Sequence, residues 1–107
     1  MKLLQVNYHR DHGQDNHDQA EYLLSAAERI SGVPGLQWKV WIYDDENQAA
    51  GGIYVFDSEE QARAFGDGLP ESLGKLPGVS GIDRRYFDID EHLSAITRGP
   101  VFARQEA

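Results

Sequence analysis

Leu36 to Phe56 reads LQWKVWIYDDENQAAGGIYVF, two apolar runs separated by a cluster of turn formers. Residues 36–43 are rich in aromatic and β-branched side chains, which suit a pleated, half-buried strand. Asp44, Asp45, Glu46 and Asn47 are turn residues, and 49–56 returns as the partner strand; so short a connection makes the pair antiparallel. Upstream, residues 2–8 (KLLQVNY) predict a first strand that runs into a polar His/Asp/Gly loop at 9–16. Ala20, Leu23, Leu24, Ala27 and Ile30 then recur at helical spacing, with Asp15 or Asn16 as cap and Gly32 placed for a left-handed C-terminal residue. Downstream of the hairpin, Asp57 or Ser58 caps a second helix with Gln61 in capping-box spacing and an apolar stripe of Ala62, Phe65 and Leu69. Pro70 is expected to end or kink that helix, leaving 71–76 as a separate turn. Residues 79–89 predict a fourth strand with a bulge at Gly81, and 90–97 a short helix begun by Asp90. The order β-α-β-β-α-β with a short C-terminal helix is the ferredoxin-like α+β arrangement, an antiparallel sheet with two helices on one face. It occupies residues 1–98 as a single domain, with 99–107 as a tail.

Composition sets the outer limits. The 107 residues carry 10 Lys+Arg against 18 Asp+Glu, a formal charge of −8, and no cysteine. That length suits one domain with one modest core. Disulfide scaffolds and cysteine-ligated metals are excluded. The acidic balance argues against nucleic-acid and anionic-membrane partners, whose phosphates call for a Lys/Arg surplus, and leaves neutral or cationic small ligands open. No apolar window is long enough to span a bilayer, and the N-terminal apolar stretch is too short for a signal-peptide core, so a cytoplasmic location is expected.

Strand alternation sorts the side chains into two sets. Leu4, Val6, Val40, Ile42, Ile53 and Val55 read as an aliphatic face to pack beneath the helices. The opposite set collects Gln5, Asn7, Lys39, Trp41, Tyr43, Tyr54 and Phe56, aromatic and polar together. Such a face is too apolar to be left in water, and a second copy in a symmetric homodimer would cover it. Buried Gln5, Asn7 and Lys39 would then need partners, which a cavity holding water or a polar ligand supplies. Gly51 and Gly52 inside a strand mark either a bulge or a close approach by backbone or ligand.

The run from Pro34 to Phe56, with LLQ at 3–5, WKVW at 38–41, AGGIY at 50–54 and FD at 87–88, resembles the YdhR-like monooxygenases of the dimeric α/β-barrel superfamily over most of the chain. The resemblance implies a ferredoxin-like protomer that pairs through its sheet into a dimeric α/β barrel. It also implies oxygenation of a small aromatic or polyketide-like compound by molecular oxygen with no cofactor. Relatives in the superfamily differ widely in chemistry, so the fold by itself sets only a starting point for function. Those that oxidise polyphenols place an Asn and a Trp near the substrate, and Asn7, Trp38 and Trp41 are residues of those types here.

Oxidation without metal or flavin makes the substrate the electron donor, which means losing a phenolic or enolic proton before it meets oxygen. His9, just past the first strand, has a suitable ordinary pKa for a base. Asn7, Trp41, Tyr43, Tyr54 and Lys39 are candidate donors to the anion, with Gln5 and Phe56 lining the same space. Arg84 and Arg85 are adjacent, so only one can face the cavity and receive a carboxylate or phenolate; the sequence does not say which, and Arg85 is carried among the binding candidates. The plainer alternatives are that the aromatics form dimer core, and that Lys39 snorkels to the rim or pairs with Asp83 or Asp88. His9, His12 and His17, interleaved with Asp11, Asp15 and Asp18, fit no zinc spacing and read as a solvated acidic loop. The rival function is a ligand-binding or effector-sensing module with no base. An RNA-binding sheet is disfavoured, because it needs basic residues around its stacking aromatics.

Overall fold

The computed structural model describes residues 1–11, 17–76 and 78–101. The elements are β1 (Lys2–Arg10), α1 (His17–Ser31), β2 (Leu36–Asp44), β3 (Ala49–Phe56), α2 (Glu59–Gly66), α3 (Leu69–Gly74), β4 (Val79–Asp88) and α4 (Glu91–Ile96). The strands form one sheet in the order β2-β3-β1-β4 with every neighbouring pair antiparallel. This is the ferredoxin-like α+β fold that the element order implies. No described helix is long and apolar enough to cross a membrane.

Local chemistry accounts for the boundaries. The Asp44 carboxylate accepts from the Asn47 backbone N–H at 3.3 Å and from its Nδ2 at 2.8 Å, closing the β2–β3 turn. The Ser58 hydroxyl accepts from the Gln61 N–H at 3.2 Å and donates to Gln61 Oε1 at 3.1 Å, while Asp90 Oδ1 accepts from the Leu93 N–H at 2.9 Å. Between Asn7/Asp83 and His9/Ser80 the β1–β4 register shifts, with Gly81 at φ 62°, so the expected bulge is present. Two expectations change. The helical break precedes Pro70, which sits in the first turn of α3, where a missing N–H costs nothing. The left-handed glycine after α1 is Gly35 at φ 79°, not Gly32. Asp15 and Asn16, the proposed caps of α1, lie outside the described residues.

The two sheet faces are composed differently from the sequence expectation. Directly opposed residues share a face, and the register pairs Leu4 with Tyr54, Tyr54 with Lys39, Val6 with Gly52 and Gly52 with Trp41. Leu4 and Val6 therefore lie on the aromatic side with Lys39, Trp41, Tyr54 and Phe56, and that side is the one beneath the helices. Leu4, Val6, Tyr54, Phe56, Ala62 and Leu69 form the buried core there. Gln5 and Asn7 lie on the other face with Val40, Ile42 and Ile53. Alternation fixes parity within a strand, but the phase between strands comes from the register, and matching aliphatic to aliphatic chose the wrong phase. On α1, Ala26 is buried and Leu24 is 64% exposed, so the inward stripe runs beside the one the apolar residues suggest.

Leu4→Ala is expected to lower unfolding free energy by about 2–5 kcal/mol, as for other fully buried leucines. Leu24→Ala should change it by no more than about 0.5 kcal/mol. Urea titrations of the two variants, followed by circular dichroism, test the assignment of faces.

Candidate functional site

Between the sheet and the helices lies a cavity of about 460 Å³. Its floor is Tyr8 of β1, Lys39 and Trp41 of β2 and Tyr54 of β3; Ala26 and Ile30 of α1 form one wall, and Phe65 of α2 with Leu69 and Leu73 of α3 another. α2 packs on β1 and β3, and α3 on β4.

Lys39 is the polar centre of this space. Its Nζ sits 3.2 Å from the Trp41 ring centroid and 4.6 Å from that of Tyr54, within range of the ring quadrupoles. Trp41 lies two residues along the same strand and Tyr54 directly across, so alternation and register bring all three together. Gly52, opposite Trp41, makes the room: a Cβ there would stand 2.7 Å from Lys39 Cε and 3.1 Å from the Tyr54 ring. Since the register runs unbroken through Gly51 and Gly52, these glycines mark a close approach and not a bulge.

Burial alone lowers the Lys39 pKa to about 7, because a charged amine loses hydration that no carboxylate replaces. The acids suggested as its partners are engaged elsewhere. Asp88 binds Lys2 Nζ at 2.8 Å and Asp83 binds Arg85 Nε at 3.0 Å. Burial pushes the Tyr54 phenol well above the usual tyrosine range, with the nearby Tyr8 adding to it. Burial also raises Tyr8, partly offset by the Arg10 charge. Both phenols are therefore neutral at physiological pH and available as donors.

Of the residues singled out in the sequence, Lys39, Trp41 and Tyr54 meet in the cavity. Phe56 lies on the same face but is fully buried beneath it, its ring 6.3 Å from Tyr54 and 5.8 Å from Phe65, supporting the floor without lining it. Tyr43 is farther along that face, with the Arg10 guanidinium 5.4 Å from its ring centroid. Gln5, Asn7 and Arg85 project from the sheet face opposite α1, α2 and α3, and His9 is exposed at the same parity near the end of β1. His9 and Asn7 therefore do not line this cavity, for the phase reason given above. Of the arginine pair, Arg84 and not Arg85 lies on the helix side, where its Nη1 donates to the Gly66 carbonyl at 2.9 Å and fastens the end of α2. His12 and the His17 side chain lie outside the described residues.

Tyr8, Tyr22 and Phe65 are cavity residues that the sequence reading did not select. Tyr8 follows Leu4 and Val6 in strand parity, and Tyr22 precedes Ala26 and Ile30 at helical spacing, so the signal was present once the inward set was known.

A ferredoxin-like fold with a largely apolar cavity around the partly buried Lys39 amine has the shape and lining to enclose a small molecule. Residues 3–100 match the model of the family described as putative mono-oxygenase ydhR, and the chain belongs to that family. No curated protein matches it in sequence. Among solved structures, the monooxygenase from the gene ActVA-Orf6 of Streptomyces coelicolor, in complex with nanaomycin D, superposes with a TM-score of 0.61 at 19% identity, over 99% of this chain and 92% of that one. An MhuD variant with two manganese protoporphyrin IX molecules bound per active site gives a TM-score of 0.57 at 12% identity, over 82% and 94%. A haem-free haem-degrading protein of Mycobacterium tuberculosis gives 0.54 at 13%, over 84% and 94%. At these identities the likeness is one of fold.

The lowered Lys39 pKa also has a thermodynamic consequence. Between about 7 and its unfolded value of 10.5, the unfolded chain binds the Lys39 proton and the folded chain does not, so this group makes stability rise with pH in that window. Lys39→Met is expected to be more stable than the parent at pH 6, and the gap should narrow as pH rises from 7 toward 9. Melting curves of both proteins across that range check it, with each kcal/mol appearing as roughly 4–8 °C in a domain this size.

Proposed function

We propose that this chain is a monooxygenase that oxidises a small aromatic compound in the cavity with molecular oxygen and without an added cofactor, working as a homodimer. Family membership supports the reaction class, and the observation that carries the chemistry is the Lys39 amine, pKa about 7, set against Trp41 and Tyr54 in an otherwise apolar space.

A general base works best with a pKa near the operating pH. The unprotonated Lys39 amine takes a proton from an acidic C–H or phenolic O–H of the bound ring system. The resulting ammonium stays beside the carbanion or phenolate, where low polarity strengthens the attraction. Tyr8 and Tyr54, held neutral by burial, can donate to the developing oxyanion. Aliphatic walls at Ala26, Ile30, Leu69 and Leu73 exclude water while the electron-rich anion meets oxygen. For a methylene between aromatic rings the steps balance. The C–H bond breaks, its proton passes to Lys39 and its electron pair stays on carbon. The carbanion then adds dioxygen through a new C–O bond, and the proton returns from Lys39 to give a hydroperoxide. Cleavage of the O–O bond with loss of the remaining C–H proton releases water and leaves a ketone. The substrate thus supplies the electrons, one oxygen atom enters the product and the other leaves as water.

The homodimer reading rests on the sheet face opposite α1, α2 and α3. Val40 is 48% and Phe87 44% exposed there, beside Leu3, Ile42 and Ile53. Leu93 and Ile96 of α4 add exposed apolar area, at 59% and 64%. Monomers seldom leave so much apolar surface in water, and two such sheets stacked face to face would cover it. The face to be covered is thus the aliphatic one, and each protomer keeps its own cavity under its helices.

Oxygen uptake with a panel of anthrones and hydroquinones, in metal-free buffer, should fall by at least about 10²-fold in Lys39→Met and stay within about two-fold in His9→Gln. Uptake unaffected in Lys39→Met would overturn the assignment of the base, and a flat trace alongside tight binding of one compound would make the protein a binding module. Light scattering on the eluting protein should give twice the chain mass, and Val40→Arg should shift it toward the monomer with the circular dichroism spectrum retained.

A further inference from the structure

The chain is strongly acidic, yet its cavity is not. Among the described residues, the cavity is lined by three of the ten Lys and Arg residues, Arg29, Lys39 and Lys75, and by none of the 18 acids. Several of the other cations are matched. Lys2 is held by Glu59 and Asp88 at 2.8 Å each, Arg84 by Asp67 at 3.4 Å, and Arg63 by Glu59 at 3.5 Å. Lys75, 3.7 Å from Glu71, is well exposed at the cavity mouth. Lys39 alone of the three stands inside, on the floor, with two aromatic rings as its only described neighbours of complementary charge.

A partly buried amine with no counter-ion among the described residues is a costly arrangement, since desolvation is offset only in part by ring quadrupoles. The rest of the lining is mostly apolar, with the Tyr8, Tyr22 and Tyr54 phenols and Ser72 among it. Ala26, Ile30, Phe65, Leu69 and Leu73 offer apolar surface to a flat or bulky body. The complement of this space is a molecule with a hydrophobic ring system and a single negative charge placed toward β2.

We propose that the cavity selects apolar aromatic acids bound as their monoanions, with Lys39 as the group that receives the charge. This rests on the cavity reading in the proposed function: for an oxidisable substrate the acid is the phenol or enol itself, and the ion pair is the state reached when Lys39 has taken its proton. The net charge of −8 points to neutral or cationic ligands when read globally; the placement of the cations reverses that expectation locally.

The test is binding, without oxygen chemistry, so its outcome is separable from that of the oxidation. Two fluorescent probes share one ring framework: 1-anilinonaphthalene-8-sulfonate carries an anion and N-phenyl-1-naphthylamine does not. The full-length protein should bind the sulfonate at least about ten-fold more tightly than the neutral amine. Lys39→Met should abolish that preference while leaving the neutral probe's affinity within about two-fold, and Lys39→Arg should restore it. Arg29→Gln and Lys75→Gln, at the solvated mouth, should each change it by less than about three-fold, as expected for exposed charges. Equal or tighter binding of the neutral probe by the parent protein, or a preference that survives Lys39→Met in a folded variant, would overturn the proposal, as would failure of both probes to bind. A retained anion preference with no oxygen uptake would count against the oxidation alone, and turnover of permanently neutral substrates with no preference would count against the anion site alone.

Discussion

The Lys39 amine stays under the helices because Gly52, across the hairpin, has no side chain to oppose it. Lys39 and Trp41 project from the same side of β2, and Gly52 and Tyr54 stand opposite them on β3. Any Cβ at position 52 would press on the Lys39 stem and the Tyr54 ring together. A glycine in a central strand weakens that strand, by roughly 0.5–1 kcal/mol against alanine in regular structure. The sheet accepts this weakness where the cavity requires depth, and Leu4, Val6 and Phe56, all fully buried on the same face, supply the packing around it. A side chain at position 52 would displace the Lys39 stem from its present place beside Trp41 and Tyr54.

This arrangement divides the sheet between two tasks. The helix-covered face holds every aromatic side chain of β2 and β3 except Trp38, whose Nε1 donates to the Pro100 carbonyl at 2.8 Å and so ties the chain after α4 to the far side of the sheet. Chemistry and enclosure are therefore built inside one protomer, from α1, α2 and α3 closing over β1, β2 and β3. The other face carries the aliphatic residues that suit stacking against a like surface. The cavity lining and the exposed aliphatic face draw on different side chains, so one can vary without disturbing the other.

The order and type of the elements, apart from α3, which was expected as a turn, were legible in the sequence because each rests on local chemistry: the turn at Asp44–Asn47, the Ser58 and Asp90 caps, the Gly81 bulge. The phase between strands was not, because alternation within β1 places Leu4 and Val6 together but says nothing about whether Tyr54 or Ile53 stands opposite Leu4. One step of register moves an entire set across the sheet. That single ambiguity explains why Lys39, Trp41 and Tyr54 were correctly grouped, why Asn7, Gln5 and Arg85 were wrongly joined to them, and why Tyr8 was overlooked. The α1 stripe held at Leu23 and Ile30 and missed at Leu24. Leu24 looks inward by composition, but the helix turns Ala26 and Ile30 to the cavity, and small residues there widen the space that larger ones would fill.

Net charge is a property of the outside of this molecule more than of its site. Acidic side chains on the helix exteriors and turns keep the surface negative, a field that favours dispersion of the protein in water but says nothing about a pocket screened from it by low-polarity walls. At Lys39 the nearest influences are two ring faces and the loss of water, and within a few ångströms these outweigh distant carboxylates that salt and solvent screen. An anion approaching from bulk meets mild repulsion at the surface and then passes Arg29 and Lys75 at the mouth before reaching the amine. Selectivity in such a site is set at the end of that path, where desolvation makes one unmatched charge count for more than the sum of many solvated ones.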